Sequence, residues 1–245
     1  MRVCLLIPIY NHKDAIGGVL ESLAPSGLHC FVVDDGSDAA TREVLDRLAE
    51  RYSWVEIEHL KENGGKGAAL KHGYRLAAQR GYTHALQLDA DGQHDPADVP
   101  RILERIARRP EALVLGQPIF DASAPWNRLW GRKLSVGFVW LTTLSRAVRD
   151  PLCGFRGIPL EPTLRVLDGA RLGDRMDFDP DLAVRLVWQG VPVESLPTRV
   201  RYVPGGLSHF DVVWDDLRLA WLYLRLTGGM LRRAPGLLAR RRGSA

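Results

Sequence analysis

Apolar runs of five or six residues alternate with amphipathic stretches through the first half of the chain. Val3–Pro8, His29–Val33, Val55–Leu60, residues 84–88 and Ala112–Gly116 read as strands. Asp14–Leu23, Thr41–Tyr52, Gly67–Gln79 and Asp98–Arg108 carry apolar residues at helical spacing and read as helices between them. A strand–helix repeat of this kind predicts an α/β fold, with a mostly parallel sheet covered by helices on both faces. Right-handed crossovers then gather the loops that follow the strands on one rim, where such sheets bind ligands. Further on, Leu182–Trp188 reads as a helix stopped by Gly190, and Val191–Pro197 as a last strand.

The strand-end loops are where the pattern turns polar. Ala85-Leu86-Gln87-Leu88 runs into Asp89-Ala90-Asp91-Gly92-Gln93-His94, which sets two carboxylates two residues apart at a buried strand's end. Such a pair is costly unless positive charge joins it, and Mg²⁺ or Mn²⁺ with diphosphate oxygens is the economical partner. A surface turn built on Asp-Gly is the plainer alternative. The second loop, Asp34-Asp35-Gly36-Ser37, offers Asp35 to a base or ribose, or forms an ordinary turn with a helix cap. The third, Lys61 to Gly67, puts Lys66 beside a helix start, where it suits phosphate or the adjoining ribose. Neither the P-loop spacing nor Gly-x-Gly-x-x-Gly occurs, which disfavours P-loop nucleotidases and dinucleotide dehydrogenases.

With 245 residues, 46% of them hydrophobic, the chain can bury a full core in one large domain. The net charge of +4 is unevenly spread: no acid follows Asp216, while Arg218, Arg225, Arg232, Arg233 and Arg240 to Arg242 do. A basic end suits an anionic membrane surface, and no recognised nucleic-acid module accompanies it. Leu217–Met230 is apolar and aromatic but broken by Arg218, Arg225 and Gly228-Gly229, so it reads as a peripheral helix rather than a span, with Pro235-Gly236 punctuating its end. Cys4, Cys30 and Cys153 lack metal-ligand spacing and read as buried thiols of a reducing compartment. Pro8 and the polar Asn11–Asp14 interrupt the first apolar run, so no ordinary secretory signal is expected.

Taken in order, Val3–Asn11, Val32–Ser37, Asn63–Gly67 and Asp89-Ala90-Asp91 resemble the successive loops of inverting family 2 glycosyltransferases with the GT-A fold. Within that family the chain is similar to the dolichyl-phosphate-mannose synthase-like, polyprenyl-phosphate group. The resemblance covers roughly residues 1–210. It implies a transferase domain over 1–210, with a nucleotide-binding half (1–118) and an acceptor-side half (119–210), and a basic amphipathic helical tail over 211–245 that forms a membrane-surface extension.

What the resemblance implies about the site can be stated residue by residue. Pro8, Tyr10, Asn11, Asp35, Lys66, Asp89, Ala90, Asp91, Arg132, Arg201 and Ser208 would contact the nucleotide-diphosphate sugar or phosphate groups near it. Asp89, Asp91 and Gln93 would hold the Mg²⁺ or Mn²⁺. Arg132 and Ser135 match an Arg-x-x-Ser pattern used near the phosphate, and Asp150 to Arg156 matches Asp-x-x-x-Gly-Phe-Arg. Arg156 would meet a phosphate or carboxylate, or else pair with a structural acid. Asp179 or Asp177 would be the general base for an alcohol acceptor, whereas a lipid phosphate requires none. His209 is either a phosphate contact or a satisfied loop histidine. The expected activity is metal-dependent transfer of a sugar to a lipid-phosphate or lipid-linked hydroxyl acceptor, by a cytoplasmic protein peripheral on the inner face of the membrane. A nucleotide-sugar-binding regulator and a sugar-nucleotide pyrophosphorylase are the alternatives.

Overall fold

The structure is a computed structural model that describes the backbone of residues 1–119, 126–200 and 212–243, with side chains over 1–119, 130–200 and 214–240. Arg201, Ser208 and His209 lie outside the described residues. A seven-stranded sheet runs through the molecule in the order β3-β2-β1-β4-β6-β5-β7. Its strands are β1 (Val3–Ile9), β2 (Cys30–Asp34), β3 (Val55–His59), β4 (His84–Gln87), β5 (Leu113–Ile119), β6 (Arg156–Pro159) and β7 (Val193–Arg199). All described pairings are parallel except those of β6, which is antiparallel to both β4 and β5.

Six of these strands match the expected ones to within a few residues. β6 has no counterpart in the pattern, because Arg-Gly-Ile-Pro shows neither alternation nor a β-branched run. The centre of the sheet holds it: Gly157 pairs with both Leu86 and Val114. A Cβ on Gly157 would come within 2.8 Å of Ile106 Cδ1, so the glycine admits the helix above it.

The helices are α1 (Lys13–Leu23), α2 (Ala39–Arg51), α3 (Lys66–Gln79), α4 (Val99–Arg108), α5 (Trp126–Thr143), α6 (Leu160–Gly169), α7 (Phe178–Gln189) and α8 (Val212–Gly243). They cover both faces of the sheet over two apolar clusters. One is built on Leu5, Ile7, Leu20, Val32 and Leu86, the other on Leu6, Phe31, Leu70, Phe178 and Leu182. α7 stops at Gly190, whose φ of 89° supplies the left-handed closing residue.

α8 corrects two expectations about the C-terminal segment. It does not break at Pro235-Gly236: Pro235 is exposed within the helix, while Leu237 and the Arg240–Trp188 contact hold the last turns down. Nor is it only a surface element: Leu219, Leu222, Tyr223, Leu226, Met230 and Leu237 are buried in the second cluster. Tyr223 stacks on Phe138 of α5 at 4.9 Å, and the fully buried Asp181 of α7 receives Arg225 of α8 at 2.6 Å.

Cys4, Cys30 and Cys153 are buried free thiols. Burial pushes Cys4 and Cys153 up to about 12 and Cys30 well above its ordinary value, so the nucleophilic thiolate is scarce at neutral pH. Iodoacetamide at pH 8 is therefore expected to leave the native protein unlabelled and to label all three positions in urea, read by intact mass. Rapid native labelling of Cys153 would show an opening that this packing does not allow.

Candidate active site

Four loops meet on the rim formed by the carboxyl ends of β1, β2, β3 and β4, and backbone-to-side-chain bonds tie them together. Asn11, at φ 54°, donates its N–H to Ser37 Oγ at 2.9 Å and accepts the N–H of Asp38 on Oδ1 at 2.9 Å. The first loop is thereby locked to the second. Asp34 braces its own loop: Oδ1 takes the Ser37 N–H, and Oδ2 meets Arg42 at 3.1 Å and His59 at 2.8 Å.

Asp35 locks the second loop to the third. Its two oxygens accept the N–H groups of Gly64 and Gly65 at 2.9 and 2.8 Å. Burial raises its pKa, and those two N–H groups offset part of the rise. Gly36, at φ 71°, passes so close to the third loop that a Cβ would lie 2.5 Å from the Glu62 carbonyl carbon. Pro8 is in the sheet opposite Val33, and Tyr10 is half-buried just beyond it.

The charged centre of the site is Lys66, the first residue of α3. Its ammonium lies 2.6 Å from Asp89 Oδ1 and 3.0 Å from Asp179 Oδ2. Burial works against the ammonium, but Asp179 and then Asp89 outweigh it and hold the pKa above the ordinary range. Burial likewise opposes ionisation of Asp89, and Lys66 with His94 reverses that, holding its carboxyl well below the usual range. Gly154 makes room for this carboxylate, since a Cβ there would overlap Asp89 Oδ2.

Among the described residues no salt bridge reaches Asp91. Burial and the charge of Asp89 raise its pKa, and a 3.0 Å bond from the Gln93 N–H to Oδ1 offsets part of this. Two carboxylates in this state, with the Gln93 amide oxygen as a neutral third donor, form an oxygen-only set that suits a hard divalent cation. Among the described residues no three His, Cys, Asp or Glu side chains converge on one metal position, so a cation here would complete its coordination with substrate oxygens or water. Ala90 is buried between the two acids.

Asp179 comes to this centre from the start of α7, not from a strand-end loop. Besides Lys66 it meets Gln87 Nε2 at 3.3 Å and Arg156 Nη1 at 3.6 Å. Gln87 in turn accepts from the buried Tyr74 hydroxyl at 2.5 Å. Gln87 and Tyr74 were not among the expected site residues. A polar residue inside the apolar run ending in Asp89 was the available signal, because a buried amide requires partners.

Arg156 lies beneath the site rather than in it. Its guanidinium is fully buried and donates to the carbonyls of Pro151, Cys153 and Asp179 at 2.5, 2.6 and 2.9 Å. Its carboxylate neighbour is Asp179, at 3.6 Å. Arg132 meets Asp150 at 2.6 Å, and Asp150 also caps the N–H groups of Leu152 and Cys153. Asp177 is half-buried one turn before Asp181 and accepts the Arg175 N–H at 3.3 Å, away from Lys66. Lys66, Asp89 and Asp179 are thus drawn together beside Asp91, whereas Asp177 and Arg132 have partners of their own.

An α/β sheet whose strand-end rim carries two carboxylates after the fourth strand defines the class of fold, and the comparisons define the family. Residues 4–156 match the glycosyl transferase family 2, and the chain belongs to that family of nucleotide-sugar-dependent glycosyltransferases. It is 35% identical over 207 residues to an undecaprenyl-phosphate mannosyltransferase of Micrococcus luteus, covering 80% of this chain and 82% of that protein. It is 27% identical over 246 residues to a polyprenol monophosphomannose synthase of Mycolicibacterium smegmatis, covering 97% of this chain and 91% of that one. In fold it is similar to the mannosyltransferase PcManGT of Pyrobaculum calidifontis, solved with GDP-Man and Mn²⁺, with a TM-score of 0.63 and 18% identity over 100% of this chain and 76% of that one. Against the S. aureus TarS 1–349 structure the TM-score is 0.57 at 14% identity, and the match covers 81% of this chain and 59% of that one. The fold is thus that of the GT-A glycosyltransferases, as the strand-end loops implied.

Proposed function

We propose that the protein is a metal-dependent, inverting glycosyltransferase that moves a sugar from a nucleotide-diphosphate donor to a lipid-phosphate acceptor at the inner face of the membrane. The observation that carries this reading is the Lys66–Asp89–Asp179 cluster with Asp91 beside it. Asp91, Gln93 and Asp89 would hold Mg²⁺ or Mn²⁺, and Lys66 would lie alongside the diphosphate. The bound cation supplies positive charge that stabilises the departing nucleoside diphosphate.

In this reading an acceptor oxygen bonds to the anomeric carbon from the face opposite the diphosphate as the carbon–oxygen bond to phosphate breaks, which inverts the centre. A lipid phosphate fits this chain better than a lipid alcohol. Its attacking oxygen is already anionic, whereas Asp179 is committed to Lys66, Arg156 and Gln87 and is poorly placed to take a proton. The undecaprenyl-phosphate and polyprenol relatives point the same way. Purified protein with Mn²⁺, a panel of nucleotide sugars and polyprenyl phosphate should give a glycosylated lipid phosphate, identified by mass. Donor binding without any product would favour a nucleotide-sugar-binding protein instead.

The membrane part of the reading rests on α5 and α8. No helix among the described residues is long and apolar enough to cross a bilayer. Yet Trp214, Leu217, Trp221, Leu224, Leu231 and Leu238 stand exposed on α8, opposite its buried face, and Trp130, Leu134 and Leu141 on α5. Their spacing of three, four or seven residues keeps the α8 set on one stripe, as in helices that lie in the interfacial plane. The arginines contribute less charge than the sequence alone suggests, because Arg225 is bound to Asp181 and Arg218 to Asp215. Burial at roughly 2 kcal/mol per large apolar side chain is then the stronger attraction.

Truncation of the tail would remove core residues, so substitution on the exposed stripe is the sound test. Intact protein should float with anionic liposomes, and Trp221→Glu with Leu224→Glu should abolish flotation at an unchanged melting temperature. A soluble oligomer that does not float, and that dissociates in the same variant, would assign the stripe to self-association.

A further inference from the structure

Gln87 is the last residue of β4, on the face of the sheet that α3 and α7 cover. Ala85, two residues earlier on that face, belongs to the apolar cluster of Leu70, Tyr74, Phe178 and Leu182, so an apolar residue is expected at 87. A fully buried amide stands there instead. Both of its ends have partners: Oε1 accepts from the Tyr74 hydroxyl at 2.5 Å, and Nε2 donates to Asp179 Oδ1 at 3.3 Å. The direction of this chain is set by charge. The Asp179 carboxylate can only accept, so Gln87 turns its amino group toward it and its oxygen toward Tyr74, and Tyr74 must donate. Burial, and then the charge of Asp179, raise the Tyr74 pKa well above its ordinary value, which keeps the proton on the donor. An amide turned the other way would set oxygen against carboxylate.

We propose that Tyr74 and Gln87 are positioning residues for Lys66, acting through Asp179. The hydroxyl fixes the amide, the amide fixes Asp179 Oδ1, and Oδ2 is left facing the Lys66 ammonium at 3.0 Å. Arg156 Nη1 is 3.6 Å from Oδ1, too far for a hydrogen bond, so it adds charge there without direction. Tyr74 and Lys66 belong to the same helix, eight residues and about 12 Å apart along its axis. The side-chain path from Tyr74 through Gln87 and Asp179 to Lys66 therefore closes a ring on α3, which gives a hydroxyl remote from the rim a hold on the ammonium at the rim. The inference deepens the transferase reading and rests on it, since the place of Lys66 matters to turnover only if a donor diphosphate lies beside it.

The test compares the wild type, Tyr74→Phe, and Tyr74→Phe combined with Gln87→Met. Three quantities are read: the melting temperature, kcat beside the nucleotide Kd in Mn²⁺, and the rate at which acetic anhydride acetylates Lys66, measured by peptide mass against the exposed Lys13. Tyr74→Phe orphans a buried amide oxygen and should melt lower, whereas the double variant removes both polar partners and should regain most of that loss. Turnover should not follow stability. In both variants kcat should fall about five- to tenfold, the scale of one neutral hydrogen bond, with the nucleotide Kd within about twofold. Lys66 should be acetylated several-fold faster in both, because Asp179 no longer has a fixed donor on Oδ1. Recovery of kcat and of Lys66 protection along with the melting temperature would make the pair a packing feature and overturn the inference, as would a wild-type kcat in Tyr74→Phe. If the double variant does not fold, kcat and Lys66 acetylation in Tyr74→Phe, taken well below its melting temperature, decide alone. A wild type that binds nucleotide and forms no product would sink the transferase reading, and the acetylation rates would still decide whether Tyr74 and Gln87 hold Lys66 in place.

Discussion

Asp91→Asn is expected to reduce transfer by roughly a hundred- to a thousandfold at limiting Mn²⁺, the scale on which loss of one electrostatic stabiliser of a developing charge is felt. It removes one of two carboxylate charges from the oxygen set at the end of β4 and leaves Lys66, Asp89 and Asp179 in contact. The effect on folding has the opposite sign. Burial and Asp89 raise the Asp91 pKa above its ordinary 3.8, so ionising Asp91 costs more in the folded protein than in the unfolded chain. That cost is absent well below pH 3.8 and complete above the raised folded value. Without metal, Asp91→Asn should therefore melt at the same temperature as the wild type in acid and slightly higher at pH 7. A variant that keeps wild-type turnover at limiting Mn²⁺ would remove Asp91 from the metal site. One that melts markedly lower at pH 7 would show that Asp91 is structurally paired.

The strand-end part of the candidate site was legible in sequence because its residues follow apolar strands, and strand ends in a parallel sheet fall on one rim. Asp35, Lys66, Asp89 and Asp91 occupy that rim. The rest of the site was less legible because its partners lie far apart in sequence. Arg156 carries a charge that suggests a phosphate, but the three carbonyls and the carboxylate that surround it come from residues 151, 153 and 179. α8 was obscured for a different reason. Apolar residues occupy two opposite faces, so Leu219, Leu222 and Leu226, which enter the core, look the same in sequence as Leu217, Trp221 and Leu224, which do not.

Asp179→Asn is expected to lower stability by about 3 kcal/mol, roughly 6–12 °C in a chain of this size, because it leaves buried Lys66 and Arg156 short of a counter-charge. Donor affinity should not fall with it. Lys66, less neutralised, attracts a diphosphate at least as well as before, so the nucleotide Kd in Mn²⁺ should stay constant or tighten. Turnover should drop about tenfold or more, because Lys66 is no longer held between Asp89 and Asp179 and the bound diphosphate is less well positioned. The pH–rate profile separates this positioning role from proton abstraction. If Asp179 were the base for an alcohol, kcat of the wild type would carry an acid limb, and that limb would vanish in Asp179→Asn. With a lipid phosphate as acceptor the two profiles should run parallel, displaced by a constant factor. Parallel profiles with a lowered melting temperature support the phosphate acceptor, and a lost acid limb at unchanged stability would return Asp179 to the role of general base.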